Sequence, residues 1–291
     1  PFPKKDVLDF LNRCFEKILI LEELGPVIEN GVRLLAQKNG IRTEIFGKGF
    51  SNLSSTGEFS LEQVRDVIGA FTNTSCKKPE ALPEWEEMAK GLPARPPALC
   101  AGCPHRATFY ALKLSVPREQ SELIMCGDIG CFGLGALPPL KMIDTINHMG
   151  MSVSMAQGLA EAFHTAEDGR KTVAMLGDGT FFHSGVASLL NAVYTKSNIL
   201  VIIFDNRTIG MTGGQDHPGA NQRESKYREI QIEPLIRGMG IPVETISPFN
   251  LKDTFNKINK GIQNEGVSVL VSKAPCIFIP DFSKTQTRRK V

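Results

Sequence analysis

The chain contains no apolar run approaching the roughly 18 residues that cross a bilayer, and Pro1 to Asn12 lacks the basic, apolar and small-residue regions of a secretory signal. A membrane span and export are therefore not expected, and a cytoplasmic location is. An excess of one charge is missing as well: 33 Lys and Arg stand against 31 Asp and Glu, a formal charge of +2 without long like-charge blocks. No polyanionic partner, nucleic acid or membrane surface, is expected from that balance. Cysteine is sparse, seven in 291 residues and odd in number, which excludes a disulfide framework and turns attention to metal or redox roles. There is no internal repeat and no low-complexity tract. What is present, 42% apolar and 22% charged residues, is the composition of a packed chain of one large domain or two smaller ones.

The order of elements predicts an α/β fold. Ile18 to Leu21 and Thr43 to Phe46 read as short strands, and Leu61 to Phe71 reads as an amphipathic helix. Pro26 followed by Ile28, Val32 and Leu35 marks another helix. That is too few strands for a complete α/β domain, so residues 1–73 are expected to be the partial remainder of one. Residues 74–97, rich in Lys, Pro, Glu and Ala and holding the single Trp85, read as a linker. From residue 98 to 291 apolar strands (Leu123 to Cys126, Thr172 to Leu176, Ile199 to Phe204, Ser268 to Val271) alternate with helical stretches (Ser152 to His164, Gly185 to Tyr194, Leu251 to Asn264). This alternation predicts a parallel sheet with helices on both faces, which binds ligands at the carboxyl ends of its strands.

The most informative stretch is the strand Val173 to Leu176 running into Gly177-Asp178-Gly179-Thr180, then a helix, then a strand ending in Phe204-Asp205-Asn206. Gly177 and Gly179 permit close approach of a phosphate to free amides, and the following helix N-terminus favours negative charge. Asp178 is placed to hold a hard cation. The Asn206 side chain and the Thr208 carbonyl can add neutral oxygens, and with two from a diphosphate they suit octahedral magnesium. Gly-Asp-Gly followed by an Asn 28 residues after the Asp resembles the thiamine-diphosphate motif of enzymes acting on 2-oxoacids.

Cys100-Ala101-Gly102-Cys103-Pro104-His105 lies in a loop ahead of a helix expected over Ala107 to Leu114. Alone, such a pair fits a thioredoxin-like site, half a zinc site or half an iron-sulfur site. Cys131 in Gly127-Asp128-Ile129-Gly130-Cys131 and Cys276 in Ala274-Pro275-Cys276 both follow apolar strands, so they can meet the pair at the edge that carries Asp178. Four thiolates there would hold a 4Fe-4S cluster, and zinc stays open because thiolates alone do not choose the metal. Cys14, expected to close a helix, and Cys126 read as small hydrophobes, and Cys76 as an exposed thiol.

Three passages together narrow the resemblance: Arg95 to Arg106, then Gly127 to Cys131 with Leu134 to Pro139, then Gly177 to Gly185. The chain resembles the carboxyl half of the large subunit in the indolepyruvate-type 2-oxoacid:ferredoxin oxidoreductases, and Glu22-Glu23-Leu24 with Pro26 and Glu29 resembles the end of the preceding, transketolase carboxyl-terminal-like domain. The resemblance implies oxidative decarboxylation of an aryl 2-oxoacid with coenzyme A, the electrons passing through an iron-sulfur cluster to ferredoxin. It implies thiamine diphosphate and Mg2+ as cofactors, held by Gly127, Asp128, Ile129, Gly130, Met151, Gly177, Asp178, Gly179, Thr180, Asn206, Thr208 and Gly210. Among these Asp178, Asn206 and Thr208 take the magnesium, and Cys100, Cys103, Cys131 and Cys276 take the 4Fe-4S cluster. No counterpart is found of the family's pyrimidine-binding domain, or of its ferredoxin-like domain after Arg288-Arg289-Lys290. The chain is therefore expected to complete its site with another domain or chain and to have a smaller partner subunit. A non-redox thiamine-diphosphate decarboxylase, and a scaffold with structural zinc, are the rival readings.

His183, at the start of the helix after Gly-Asp-Gly, is the candidate catalytic side chain. His105 is a candidate to tune the cluster or touch the diphosphate, and Met151 to prop the bent cofactor. His148 lies in the loop before Met151. His217 belongs to a segment beyond Asn206 that reads as a mobile cover. His164 reads as a cation at a helix carboxyl end, and the basic tail from Lys284 to Lys290 as a solvated run.

Overall fold

The computed structural model describes residues 2–75, 83–93, 95–116, 123–167, 170–221 and 227–279. Cys76 and the basic tail lie outside the described residues. The chain divides into two compact units, Pro1–Ala94 and Arg95–Val291.

In the first unit β1 (Lys17–Leu19) and β2 (Glu44–Phe46) pair in parallel. They are flanked by α1 (Lys4–Leu11), α2 (Val27–Lys38) and α3 (Leu61–Thr72). Leu11, Val32 and Ala36 form its small buried core. Glu22 accepts from the backbone N–H groups of Ile28 (2.8 Å) and Glu29 (3.1 Å), supplying the anion that the start of α2 favours. Ser60 and Gln63 make a reciprocal capping box at α3. Two sequence expectations fail here. α4 (Pro83–Lys90) lies inside the stretch read as linker, since Pro is well suited to a first helical turn. Cys14 stands beyond α1, exposed and with φ of 58°, so it is not a buried hydrophobe.

The second unit is built on six parallel strands in the order β4-β3-β5-β6-β8-β7. In chain order these are β3 (Ile124–Gly127), β4 (Thr145–Ile146), β5 (Thr172–Gly177), β6 (Ile199–Asp205), β7 (Val243–Ile246) and β8 (Ser268–Lys273). The central strands β5 and β6 are buried on both faces, which is why they read as continuous apolar runs. Their residues divide by alternation. Val173, Met175, Leu200, Ile202 and Phe204 enter one core with Phe109 and Leu112 of α5 (Pro104–Ser115) and Ile258 of α9 (Leu251–Gln263). Ala174, Leu176, Val201 and Ile203 enter the other with Val153 and Ala156 of α6 (Met151–Thr165), Leu189 and Ala192 of α7 (Val186–Tyr194), and Ile232 and Ile236 of α8 (Ile232–Arg237). The α/β architecture with helices on both faces is thus present. Strands β4 and β7 were not expected from the sequence.

Candidate cofactor site and cysteine group

Register brings the carboxyl ends of β3, β5, β6 and β8 into one row. Gly127 pairs with Met175, Gly177 with Phe204, and Asp205 with Lys273. Beyond the last rung, the amides of Ala274 and Cys276 donate to the carbonyls of Asp205 (3.1 Å) and Asn206 (2.9 Å). Cys276 is thereby zipped to Asn206, and the motifs singled out in the sequence share one edge, as ligand sites on parallel sheets do.

The Gly-Asp-Gly stretch is not a loop. Helical backbone begins at Asp178, passes through a π-helical turn over Phe181–Gly185 and continues as α7. Such π turns recur at functional sites. Asp178, Gly179 and Thr180 are buried. A Cβ placed on Gly179 would sit 2.5 Å from Ile209 Cγ1, so only glycine keeps the backbone open there. Asp178 Oδ1 accepts from the Gly179 amide at 2.7 Å. Its buried Oδ2 has no hydrogen-bond partner, although His217 Nε2 lies 3.1 Å away, out of line for a hydrogen bond. An orphaned carboxylate oxygen at a strand end, beside an amide side chain, is a donor set that fits a hard divalent cation.

Asn206 is buried with Nδ2 3.3 Å from His105 Nε2, and its Oδ1 accepts from the Thr208 amide at 3.4 Å. Arg207, at φ of 65°, turns the chain between them. The Arg207 guanidinium donates to Glu229 at 2.6 Å and to the Gly219 carbonyl. Asp205 is buried, and its carboxyl is pushed up to about 6 by burial first and by the Asp178 charge second, against the pull of Lys273. His105 packs edge-on to Phe204 at 5.1 Å, and burial pulls it down to about 4, so it is neutral at physiological pH.

Asp128 is bonded to the start of a helix across the sheet. Its carboxylate accepts from the amides of Gly150 (3.0 Å) and Ser152 (2.5 Å) and from the Ser152 hydroxyl (3.0 Å). Both oxygens are committed to the start of α6, and burial moves the carboxyl upward while these bonds oppose it. Gly150 must be glycine: its φ is +89°, and a Cβ would lie 1.8 Å from Ser184 Oγ. Asp128 thus holds the helix whose first residue is the half-buried Met151. Ile129 is exposed, and Gly130 runs extended into a short 3-10 turn that begins at Cys131. Gly127 and Gly177 end β3 and β5.

The four cysteines expected to hold a cluster lie in the second unit, before α5, after β3 and after β8. Cys103 is the residue before α5, with Pro104 in its first turn. Its thiol is pushed up to about 11, by burial first, against amide hydrogen bonds from His105 and Arg106, with the charges of Cys100 and Cys131 adding to the rise. Burial, then Cys276 and Cys100, push the Cys131 thiol up as well. A Cβ on Gly210 would lie 3.5 Å from Cys131 Sγ and 3.8 Å from Asn206 Nδ2, so the thiol group and the Asp178 edge are contiguous. Among the described residues no three or more His, Cys, Asp or Glu side chains close into a ready metal-binding set. Thiols are soft donors of the kind that suits iron-sulfur or zinc.

His183 is exposed on the π turn, 3.1 Å by its Nδ1 from Ser184 Oγ. His148 is exposed, and His164 stands in the last turn of α6. Cys126 is fully buried in the sheet. The segment read as a mobile cover is folded back by bridges between Ile209 and Gln215 and between His217 and Ala220. His217 is buried against Asp178 instead of covering it. Sequence reasoning left His217 and Asp205 out of the site. The only local signal for His217 is the pair Gly213-Gly214, both at positive φ, which marks a tight return of the chain.

The fold is that of a thiamine-diphosphate-binding domain: residues 128–272 match the family of thiamine pyrophosphate enzymes at their C-terminal TPP binding domain. Over its length the chain is a homologue of indolepyruvate oxidoreductase subunit IorA. It is 39% identical over 291 residues to that of Pyrococcus horikoshii (95% of this chain, 44% of the relative). It is 37% identical over 284 residues to that of Methanothermobacter marburgensis, with the same shares. The chain spans less than half the length of these curated relatives. A solved structure of 2-oxoglutarate:ferredoxin oxidoreductase from Magnetococcus marinus, with 2-oxoglutarate, coenzyme A and succinyl-CoA bound, shares the fold. Its TM-score is 0.56 at 18% identity, over 65% of this chain and 69% of that one. Among the described residues no helix is long and apolar enough to cross a membrane.

Proposed function

We propose that the Arg95–Val291 unit binds thiamine diphosphate with Mg2+, and that the chain serves an oxidoreductase of indolepyruvate type. In that reaction an aryl 2-oxoacid and coenzyme A give the acyl-CoA and carbon dioxide, and the electron pair released reduces ferredoxin through a 4Fe-4S cluster. The observation that carries the proposal is the contiguity of the two donor sets, with Gly210 lying between Cys131 Sγ and the Asn206 amide. A decarboxylase that keeps its electrons on the product has no use for soft thiols beside its cation site, whereas one that exports electrons needs a nearby acceptor.

Bound thiamine diphosphate supplies the electron sink for decarboxylation; the residues of this chain bind and orient. Gly177, Gly179 and Thr180 present backbone to the diphosphate at a helix start. Asp178, Asn206 and the Thr208 carbonyl hold the magnesium. His105, neutral and wedged among aromatic rings, keeps the Asn206 amide turned. Cys100, Cys103, Cys131 and Cys276 hold the cluster. His183, exposed near the N-terminus of α6, is the side chain we assign to the substrate carboxylate. The pyrimidine-binding part, a smaller subunit and ferredoxin complete the complex.

The test is anaerobic addition of indolepyruvate and coenzyme A to the native complex. Bleaching of the cluster's visible absorbance in step with acyl-CoA formation is expected. Carbon dioxide and aldehyde released without bleaching would replace this reading with the non-redox decarboxylase.

A further inference from the structure

The segment that follows Asn206 returns to the site and delivers a buried imidazole. The ring of His217 packs on that of Phe182 at an interplanar angle of 29°, with centroids 5.8 Å apart. The Gly219 backbone N–H donates to His217 Nδ1 at 3.2 Å. A ring nitrogen that accepts carries no proton, so in the neutral ring the proton sits on Nε2. That atom faces Asp178 Oδ2 at 3.1 Å, and neither has a hydrogen-bond partner elsewhere. Asp178 Oδ1 is already taken by the Gly179 amide. Two buried polar atoms thus face each other slightly out of line, an arrangement that costs free energy unless a small turn of either group completes the bond, the remaining lone pairs of the carboxylate staying free for a cation.

We propose that His217 is a positioning residue for Asp178. Its Nε2–H fixes the rotation of the carboxylate, so that the second oxygen is presented to the divalent cation at a set angle. The stacking on Phe182 and the Gly219 bond hold the ring and its tautomer. This is the arrangement by which partners behind a metal ligand tune its affinity. The inference rests on the reading of Asp178 as the magnesium ligand.

The test compares His217→Asn and His217→Gln in the native complex, stripped of cofactor and titrated with manganese and thiamine diphosphate. Metal binding is read by the paramagnetic resonance signal of free manganese, and cofactor binding by calorimetry. Asn keeps an acceptor for the Gly219 amide but falls short of Asp178, whereas Gln carries a donor to the position of Nε2. The Asn variant is expected to lose about tenfold or more in metal affinity, with recovery in the Gln variant and similar melting temperatures for all cofactor-free proteins. Wild-type affinity in His217→Asn, or an equal loss in both variants, would overturn the proposal and leave His217 as packing against Phe182. Asp178→Asn separates the two levels: if it binds manganese and thiamine diphosphate as the wild type does, the magnesium reading itself fails. Loss in that variant with normal binding in His217→Asn rejects only the role of His217.

Discussion

At Gly179 one added carbon is enough to disturb the site. Ile209, whose side-chain Cγ1 would lie 2.5 Å from the new methyl, is held by its backbone bridge to Gln215 and cannot move without displacing Thr208 beside it. Gly179→Ala is expected to cost about 1–3 kcal/mol of stability, read as a lower urea midpoint, and to weaken thiamine diphosphate binding in calorimetry. An unchanged midpoint and affinity would contradict the packing account. At this scale the sequence was legible where chemistry follows from spacing along one βαβ unit: Asp178 and Asn206 stand where their strand ends required. His217 was not legible, because its meeting with Asp178 depends on a backbone return that spacing alone does not encode. The bonds of Asp128 to the start of α6 were not legible either, since a carboxylate that caps a helix across the fold looks identical in sequence to one that faces a ligand.

Among elements, the two donor sets are aligned by a few buried polar contacts. Thr108 Oγ1 on α5 and Ser272 Oγ on β8 lie 2.7 Å apart, both buried. They join the helix that follows Cys103 to the strand that leads into Cys276. Thr108→Val strands the Ser272 hydroxyl at about 1–3 kcal/mol and should lower iron content by loosening the cysteine group. Full iron with unchanged stability would argue against this coupling. On the other face Lys273 of β8 donates to Glu233 of α8 at 2.9 Å, and the Thr245 hydroxyl of β7 adds a third link. Burial acts to raise the Glu233 carboxyl, and the Lys273 bonds outweigh it and hold it below its ordinary 4.5. A carboxylate with a depressed value stabilises the fold above 4.5 and loses that contribution as pH falls through the lowered value. Glu233→Gln should cost about 1–2 kcal/mol at neutral pH, less than a fully buried pair because Lys273 is partly solvated. It should also flatten the acid limb of a stability profile; an unaltered limb would count against the pair. The elements missed in the sequence, β4 and β7, are short and at the sheet edges, where half-burial leaves little apolar pattern. The central strands were legible because they are buried on both faces. The GDG helix start and its π turn were not, because glycine and aspartate signal turns whatever follows them.

For the whole molecule the central claim is that one sheet edge carries both a cation site for a diphosphate cofactor and a four-cysteine group for electrons. The second unit holds these residues on strands β3, β5, β6 and β8 and on the loop before α5, so no single loop motif reveals the group. Strand order puts β8 beside β6 although 62 residues lie between Asp205 and Ser268 in the chain. Sequence reasoning placed Cys131 and Cys276 after apolar strands and the Cys100–Cys103 pair in a loop ahead of a helix, and the sheet does put the two strands' ends on one edge. The most direct test is anaerobic iron and sulfide analysis of the native complex beside its Cys103→Ala variant. A deficit of about four iron and four sulfide per chain in the variant is expected, since any cluster in a partner is common to both samples. Equal iron in the two, or zinc in place of iron, would contradict the account.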